Sequence, residues 1–305
     1  MRVIQRPEPA GERVVALGTF DGVHLGHRAL LHTAAAYAGE HGIPLRVCTF
    51  NRHPLELLCP EVAPPLLTTI PEKAQQMARL GVQEMELLNF DHRMAEKEPE
   101  AFLEELRSAV KLRAVVAGWN YTFGKKGRGN AELLREDGQR HGYDVLIVQP
   151  TVTEDGTPIS SSLVRHLLQA GEIETVEVLL GHSYTISGRV VQGKKMGKRI
   201  GFPTANVAPF PKKALPEYGV YTCLIETAKD VFPGIVNIGV QPTMPSGRVT
   251  VEAHALCGNP ELYGLRVRLS LRKMLRTEKR FDTVDELKQQ IIKDCGTAME
   301  FFHMA

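Results

Sequence analysis

The sequence lacks the features that mark membrane-spanning, secreted and zinc-binding proteins. No apolar run in its 305 residues approaches the roughly 20 residues needed to cross a bilayer. The N-terminal segment MRVIQRPEPAGER has no apolar core of the kind found in signal peptides. The five cysteines are odd in number, scattered and never in a C-x-x-C pair, and the histidines never form H-E-x-x-H. We therefore expect a cytoplasmic protein with reduced thiols, no disulfide framework and no zinc site.

The sequence also lacks an excess of charge of either sign, since 37 basic residues are balanced by 35 acidic ones. The resulting net charge of +2 gives no reason to expect a nucleic-acid or membrane partner. An apolar fraction of 43% with 24% charged residues is typical of a globular protein. The length favours two domains, and nothing in the sequence indicates an oligomeric state.

The most informative segment is GTFDGVHLGH, residues 18–27. The apolar run at 14–17 precedes it and an amphipathic helical pattern follows it, so it joins a strand to the start of a helix. Open α/β sheets bind ligands at such loops, and a helix N-terminus suits phosphate. We predict that this segment binds the phosphates of a nucleotide through Gly18, Phe20, Asp21, Gly22, His24, Gly26 and His27.

The simpler alternative is a surface histidine and an ordinary glycine turn, and either residue alone would favour it. The complete string between a strand and a helix favours the phosphate site. It is neither a Walker A loop nor a G-x-G-x-x-G dinucleotide fingerprint. Its H-x-G-H core resembles the signature of the nucleotidylyltransferase superfamily.

Strands and helices alternate through the first half of the chain. Short apolar runs predict strands at 45–50, 84–89, 113–117 and 145–148, and amphipathic patterns predict helices at 71–80, 98–112 and 131–141. This alternation indicates a Rossmann-like, doubly wound parallel sheet. His53 follows the strand at 45–50, so we expect it near the carboxyl edge of the sheet.

Two further loops of this half carry candidate ligand-binding residues. Residues 118–129 combine glycines, basic residues and aromatic rings that suit phosphates and a flat ring, among them Asn120 and Phe123. A basic surface loop with core aromatics is an equally good interpretation without context. Ser160, Ser161 and Ser162 open a helix, with Arg165 one turn later, and they predict either phosphate binding or simple N-capping.

The pattern changes after residue 181. Short alternating strands at 184–191, 218–225, 231–238, 249–256 and 265–271 indicate a small antiparallel β-barrel, closed by an amphipathic helix at 283–302. We therefore predict one domain at 1–181 and another at 182–305.

The second half also contains two candidate segments. Residues 193–206 superficially suggest a Walker A loop, but their glycine spacing is one residue short and Arg199 replaces the Ser or Thr. A flexible basic flap and a rigid Pro-Thr-Ala-Asn turn remain, in which Thr204 and Asn206 offer oxygen ligands for Mg²⁺. In VEAH, Glu252 and His254 share one face of a strand, although a solvent-facing glutamate is the commoner outcome.

These segments together resemble the bacterial bifunctional riboflavin kinase/FAD synthetase family along essentially the whole chain. In the first half the resemblance rests on GTFDGVHLGH, TF-x-x-HP, TT-x-x-EK, GWNYTFGKKGRG and ISSSLVR. In the second half it rests on GHSY, GRVVQGKKMGKRIGFPTANV, YGVY, NIGVQPT, VEAH and LRTEKRF.

The resemblance implies two ATP-dependent reactions on small-molecule substrates. The barrel would phosphorylate riboflavin to FMN, and the first half would transfer AMP from ATP to FMN, giving FAD and pyrophosphate. It implies that His24 and His27 act in adenylyl transfer, that His53, Asn120 and Phe123 bind the flavin or nucleotide, and that Glu252 is the base of the kinase. The ATP used by the kinase would be bound by Gly193, Lys198, Gly201, Pro203, Thr204 and Asn206. Thr204 and Asn206 would contact it through Mg²⁺.

Two other functions are compatible with the residues. The first half could be an inactive scaffold for a riboflavin kinase, although the intact H-x-G-H core argues against it. Alternatively, the protein could bind flavins without turning them over.

Overall fold

The computed structural model describes residues 1–5, 10–193, 197, 200–240 and 249–304. The chain forms two compact units, Met1–Ser161 and Ser162–Ala305. Within the described ranges, no helix has the length and apolar character required to cross a membrane.

The first unit is built on a parallel sheet, as predicted. Its described strands lie in the order β1-β4-β3-β2-β5-β6, with every neighbouring pair parallel. The strands are β1 Arg2–Ile4, β2 Ala10–Leu17, β3 Leu45–Phe50, β4 Glu84–Leu88, β5 Val110–Gly118 and β6 Asp144–Val148. The chain moves from β2 to one side through β3 and β4 and then returns to β5 on the other side. This reversal next to β2 creates the crevice in which such sheets bind ligands.

Helices cover both faces of this sheet. They are α1 Leu25–His41, α2 Leu55–Leu58, α3 Ile70–Arg79, α4 His92–Ala95, α5 Pro99–Ala109 and α6 Ala131–His141. Val14 and Ala16 of β2 are buried in one core with α1 and α3, whereas Val15 and Leu17 are buried in a second core with α5 and α6. Burial on both faces explains why the C-terminal half of β2 is a continuous apolar run.

The second unit contains the predicted barrel. Its described strands close in the order β10-β11-β8-β7-β12-β9, with antiparallel neighbours. They are β7 Thr185–Val191, β8 Ala205–Pro209, β9 Gly219–Glu226, β10 Val231–Val240, β11 Val249–Ala255 and β12 Arg266–Thr277. The helices of this unit are α7 Ser161–Gln169, which begins at the unit boundary, α8 Ile173–Leu180 and the closing helix α9 Val284–Phe301.

Several elements differ from the sequence prediction, and among them strand β1 and helices α2 and α4 were not predicted at all. The helix predicted at 98–112 ends at Ala109, because Val110 already pairs with Ala10 at the start of β5. Strand β8 was predicted as part of a rigid turn, since its proline-bounded sequence gives a weak strand signal. Helix α8 was not predicted.

Helices α7 and α8 belong to the same compact unit as the barrel. The Glu177 carboxylate of α8 accepts hydrogen bonds from Arg272 Nη1 at 2.7 Å and from Ser183 Oγ at 2.8 Å. The backbone N–H of Glu217 donates to the carbonyl of Leu168 at the end of α7. The division of activities at residues 181 and 182 stays a prediction.

Close packing of strands β7 and β8 gives a test of the barrel. A Cβ atom at Gly188 would lie 2.3 Å from the backbone oxygen of Ala208, so one of the two strands would have to move. We expect Gly188→Ala to destabilise the second unit by about 1–3 kcal/mol, the usual cost of overpacking. The thermal unfolding midpoint, followed by circular dichroism, measures this change.

Gly39→Ala is the matched control. Gly39 is an exposed residue of helix α1, and a Cβ atom there meets nothing within 4 Å. The better helix propensity of alanine should stabilise that unit by roughly 0.5–1 kcal/mol. A Gly188→Ala protein as stable as wild type would contradict the close approach of the two strands.

Candidate active sites

A strained turn connects β2 to α1. We call residues 18–24 the histidine turn. In it Phe20 and Val23 have φ angles of 50° and 46°, and both side chains are fully buried. Positive φ is costly for a bulky or β-branched residue, roughly 1–3 kcal/mol each. The surrounding contacts must therefore hold the turn in place.

The two histidines form a stacked pair at the start of α1. Their ring centroids are 3.7 Å apart with an interplanar angle of 23°. His24 is the N-cap of α1, and its Nδ1 accepts a hydrogen bond from the backbone N–H of His27 at 3.4 Å. Accepting this bond places the proton of a neutral His24 ring on Nε2. A Cβ atom at Gly26 would lie 3.2 Å from the His24 ring, so glycine leaves room for the stack.

The histidine pair lines a cavity of about 450 Å³ at the carboxyl edge of the sheet. The loops after β2, β3, β5 and β6 contribute its walls, which is the location expected from the strand order. The structure brings eight of the predicted residues together around this cavity: Gly18, Phe20, His24, Gly26, His27, Asn120, Ser160 and Ser161.

Asp21 and Gly22 have structural partners instead. The buried Asp21 carboxylate accepts hydrogen bonds from the backbone N–H groups of Leu67 at 3.1 Å and Thr68 at 2.9 Å. Thr68 Oγ1 also donates to Asp21 and accepts from the Gly22 N–H at 3.0 Å. A carboxylate would repel a phosphate, so we assign both residues to holding the histidine turn rather than to binding ATP. His53 lies beside Asp21 in a smaller neighbouring cavity.

The aromatic loop after β5 is divided between the cavity and the core. Trp119 and Tyr121 line the cavity, and Trp119 is half exposed. Phe123, predicted to bind the flavin or nucleotide, is instead buried in the core between Phe102 and Tyr121, with centroid distances of 5.5 and 5.8 Å. It supports Tyr121 and does not line the cavity.

The serine segment spans the boundary between the two units. Ser161 Oγ donates to the backbone oxygen of Asp21 at 2.8 Å, so this hydroxyl also holds the histidine turn. Ser162 and Arg165 lie on α7 within the second unit. Their predicted contact with phosphate stays a prediction.

The electrostatic environment keeps His27 neutral. Burial lowers its pKa well below the ordinary value, and the neighbouring His24 and Lys73 lower it further. Its Nδ1 is buried and has no hydrogen-bond partner among the described residues. A buried polar nitrogen beside a cavity has hydrogen-bonding capacity left for a ligand.

The second candidate site lies on the outer surface of the barrel. Glu252 of β11 is the cross-strand neighbour of Asn206 on β8 and of Asn237 on β10. Val251 and Ala253, which alternate with Glu252, are buried inside the barrel, so Glu252 points outward. Directly opposed side chains have Cβ atoms about 4.5–5.5 Å apart. The register therefore places Glu252 and Asn206 on one surface.

The Pro-Thr-Ala-Asn segment is held next to Glu252. His254 lies on the same face of β11, as predicted, and its Nδ1 donates to the backbone oxygen of Pro203 at 2.8 Å. Thr204 immediately precedes β8. A Cβ atom at Gly193 would lie 2.1 Å from the Asn206 amide nitrogen, so a side chain there would displace the Asn206 amide. Gly201 has a φ of 92°, which favours glycine, and Lys198 is outside the described residues.

The donor atoms at this surface suit a hard cation. Thr204 and Asn206 supply neutral oxygens, and Mg²⁺ typically takes one or a few protein oxygens and completes its shell with phosphates and water. Across the ranges that the structure describes, no cluster of three or more His, Cys, Asp or Glu side chains could hold a metal. A nucleotide-bound Mg²⁺ therefore fits these residues better than a resident metal does.

Two residues near the sites were not predicted from the sequence. Asn237 is a polar residue in the middle of the apolar strand β10, and this irregularity is the signal that could have identified it. Lys73 lies on the buried face of α3 together with Glu72 and Gln76. A helix whose buried face is polar is the corresponding signal there.

The lowered pKa of His27 predicts a pH-dependent stability. An unfolded chain restores the ordinary pKa near 6.5, so the unfolded state takes up a proton more readily. The contribution of His27 is therefore complete above about pH 6.5 and is lost as the pH falls below that value. We expect the thermal midpoint to fall more steeply between pH 6.5 and 5 in wild type than in His27→Gln.

His32→Gln, on an exposed position of the same helix, should retain the wild-type slope. Equal slopes for wild type and His27→Gln would contradict a neutral, buried His27.

Comparisons with known proteins divide the chain in the same way as its two folds. The FAD synthetase family model matches residues 6–163, and the riboflavin kinase family model matches residues 180–302. A solved structure from Streptococcus pneumoniae, described as a macrolide-efflux protein, is similar to this chain with a TM-score of 0.84 and 30% identity. That similarity covers 95% of this chain and 94% of the other.

Curated relatives agree with the family models. A bifunctional riboflavin kinase/FMN adenylyltransferase from Escherichia coli K12 is 39% identical over 291 residues, 95% of this chain and 92% of the relative. A protein of the same name from Bacillus subtilis is 36% identical over 299 residues, 97% of this chain and 94% of the relative. The chain therefore belongs to the bifunctional riboflavin kinase/FMN adenylyltransferase family, with a FAD synthetase part followed by a riboflavin kinase part.

Proposed function

We propose that the first unit transfers AMP from ATP to FMN and that the barrel unit phosphorylates riboflavin, each with its own set of residues. The observation that carries this proposal is the placement of two different kinds of site in two units. The first unit has a stacked histidine pair at a cavity, and the barrel has a carboxylate beside two amides.

The first site suits transfer to a nucleophile that is already ionised. An oxygen of the FMN phosphate attacks the α-phosphorus of ATP, the bond to the β-phosphate oxygen breaks, and pyrophosphate leaves with the electron pair. This reaction needs no strong base, and its barrier comes from alignment and charge repulsion. Accordingly, the cavity lining described above contains histidines, an amide and hydroxyls, whereas the nearby Asp21 carboxylate is occupied by backbone donors.

His24 and His27 would stabilise the triphosphate and the departing pyrophosphate. The rings donate hydrogen bonds in their neutral forms, and nearby phosphate charge favours taking up a further proton. The N-terminus of α1 adds free N–H groups directed at the same region. Asn120 would orient the flavin phosphate or nucleotide, while Trp119 and Tyr121 offer ring surfaces for stacking.

The second site suits a neutral alcohol as nucleophile. The ribityl 5′-hydroxyl of riboflavin attacks the γ-phosphorus of ATP, its proton passes to Glu252, and ADP leaves. Thr204 and Asn206 would hold an ATP-bound Mg²⁺, which neutralises phosphate charge when present. His254 would support this arrangement by fixing the carbonyl of Pro203.

We place these reactions in the cytoplasm, where ATP is abundant and thiols stay reduced. All five cysteines are free thiols in the structure. Riboflavin, FMN and ATP are the proposed small-molecule partners.

A single assay tests the proposal and its alternatives. Purified protein is incubated with riboflavin, ATP and Mg²⁺, and FMN and FAD are separated by chromatography. We expect both products. FMN without FAD would instead support an inactive first unit, and neither product would support a flavin-binding protein without turnover.

His27→Ala should impair FMN adenylylation and leave riboflavin phosphorylation unchanged. Loss of one preorganised donor to developing charge typically costs about 10²–10³-fold in rate. We expect a decrease of that size in kcat/KM for FMN adenylylation, measured as pyrophosphate release, with unchanged riboflavin phosphorylation. His32→Ala, outward on the same helix, should leave both reactions intact. Equal loss of both activities in a folded His27→Ala protein would contradict the assignment.

Glu252→Gln should show the opposite pattern. Removing a general base typically costs about 10²–10⁴-fold, so ADP formation with riboflavin should fall by that factor. FAD formation from supplied FMN should continue at the wild-type rate. Glu261→Gln, an exposed change in the same unit, is the control. Wild-type kinase activity in Glu252→Gln would eliminate Glu252 as the base.

A further inference from the structure

Lys73 reaches the histidine turn from helix α3. Its side chain is 7% exposed, and its Nζ donates a hydrogen bond to the backbone oxygen of Thr19 at 2.6 Å. The same oxygen accepts from Thr49 Oγ1 at 3.0 Å. A buried ammonium carries a large desolvation cost unless it has close polar partners. The hydrogen bond from the Lys73 ammonium to the Thr19 carbonyl therefore offsets part of the desolvation cost of burying this charge.

The start of α3 is fixed to the same turn by other contacts. Leu67 and Thr68 donate backbone hydrogen bonds to Asp21, and Gly22 donates to Thr68 Oγ1. Thr69 then opens α3 with a capping box that includes Glu72. Because the helix begins at this fixed point, Lys73 lies one turn further on and is directed back at Thr19.

The charge of Lys73 also acts on the histidine pair. Burial is the main cause that lowers the pKa of His27, His24 lowers it further, and the charge of Lys73 adds to both effects. Burial lowers the pKa of Lys73 itself to about 8, and the negative charge of Asp21 opposes that effect. Lys73 and Asp21 also line a small cavity of about 30 Å³ with Arg52 and His53, so these are the other charged or titratable groups around it.

We propose that Lys73 is a positioning residue for FMN adenylylation: its ammonium fixes the carbonyl of Thr19 and thereby holds the histidine turn in place before ATP binds. This inference rests on the proposed function of the first unit. It assigns no contact between Lys73 and the substrates, since the side chain acts through the turn.

Two substitutions separate the hydrogen bond from the charge. Lys73→Met removes both, and Lys73→Gln removes the charge but keeps an N–H donor for Thr19. We expect kcat for FMN adenylylation to fall roughly 10- to 100-fold in Lys73→Met, the size expected from a small misplacement of reacting groups, with KM for ATP within about threefold of wild type. Lys73→Gln should retain kcat within about fivefold at pH 7.

The pH profile of kcat/KM provides the readout that a purely structural role would not change. Removing the nearby cation lets the pKa of His27 rise, so the acidic limb should move to higher pH in both variants. A basic limb near pH 8, where Lys73 loses its proton, should be present in wild type and absent from both variants.

The chain supplies its own controls. Riboflavin phosphorylation by the same protein should be unchanged, which reports on the fold of the other unit. Lys213→Met removes a lysine that is 6% exposed in the barrel unit and should leave FMN adenylylation at the wild-type rate.

Specific outcomes overturn the inference. If wild type forms FAD while Lys73→Met has the wild-type kcat and pH profile, Lys73 does not position the site. If Lys73→Met and Lys73→Gln both fail to give folded protein, Lys73 belongs to the fold alone and the inference is wrong. If wild type forms no FAD from FMN, the proposed function of the first unit fails, which is a separate result.

Discussion

The proposed adenylyltransferase site depends on a backbone turn that would not be stable by itself. Phe20 and Val23 both have positive φ, which costs on the order of 1–3 kcal/mol for each residue. Complete burial of both side chains in the core between the sheet and α1 offsets much of this cost, since burying a large apolar side chain contributes about 1.5–3 kcal/mol. Hydrogen bonds from Thr68 and Ser161 fix the remaining freedom. The stacked histidines are held where this turn ends.

A rigid turn matters because the proposed adenylyl transfer needs no strong base. The protein lowers the barrier mainly by aligning the reactants and by stabilising charge. Donors that are already oriented lose no free energy to reorganisation when charge develops on the pyrophosphate. The same enclosed environment keeps His27 neutral by making its charged form unfavourable. In the proposed reaction, the negative charge of a bound triphosphate would act against that preference. Burial of this region thus offsets the strain in the backbone and also keeps the imidazole neutral.

Sequence patterns predicted the elements whose local signal agrees with their environment. Strand β3 and helix α6 have the predicted bounds because turn residues and a change of period surround each of them. Local signals failed where a long-range partner decided the outcome. Val110 continues the apolar pattern of α5, but it pairs with β2. Phe123 lies in a loop whose aromatic rings could stack on a flat ligand, but its side chain is buried in the core. Asp21 lies in the segment that was predicted to bind phosphate, yet its hydrogen-bond donors are 46 and 47 residues away in the sequence.

The proposed kinase site depends on strand register rather than on strain. Asn206, Glu252 and Asn237 come from three strands that are consecutive in the barrel but separated along the chain, and only the pairing places them side by side. A shift of one residue would turn Glu252 into the barrel interior, where Val251 and Ala253 now pack. Closure of the barrel opposes such a shift, because every described strand is paired on both sides. The two proposed sites therefore rely on different physical constraints, a strained turn held by buried contacts in the first unit and strand register in the second.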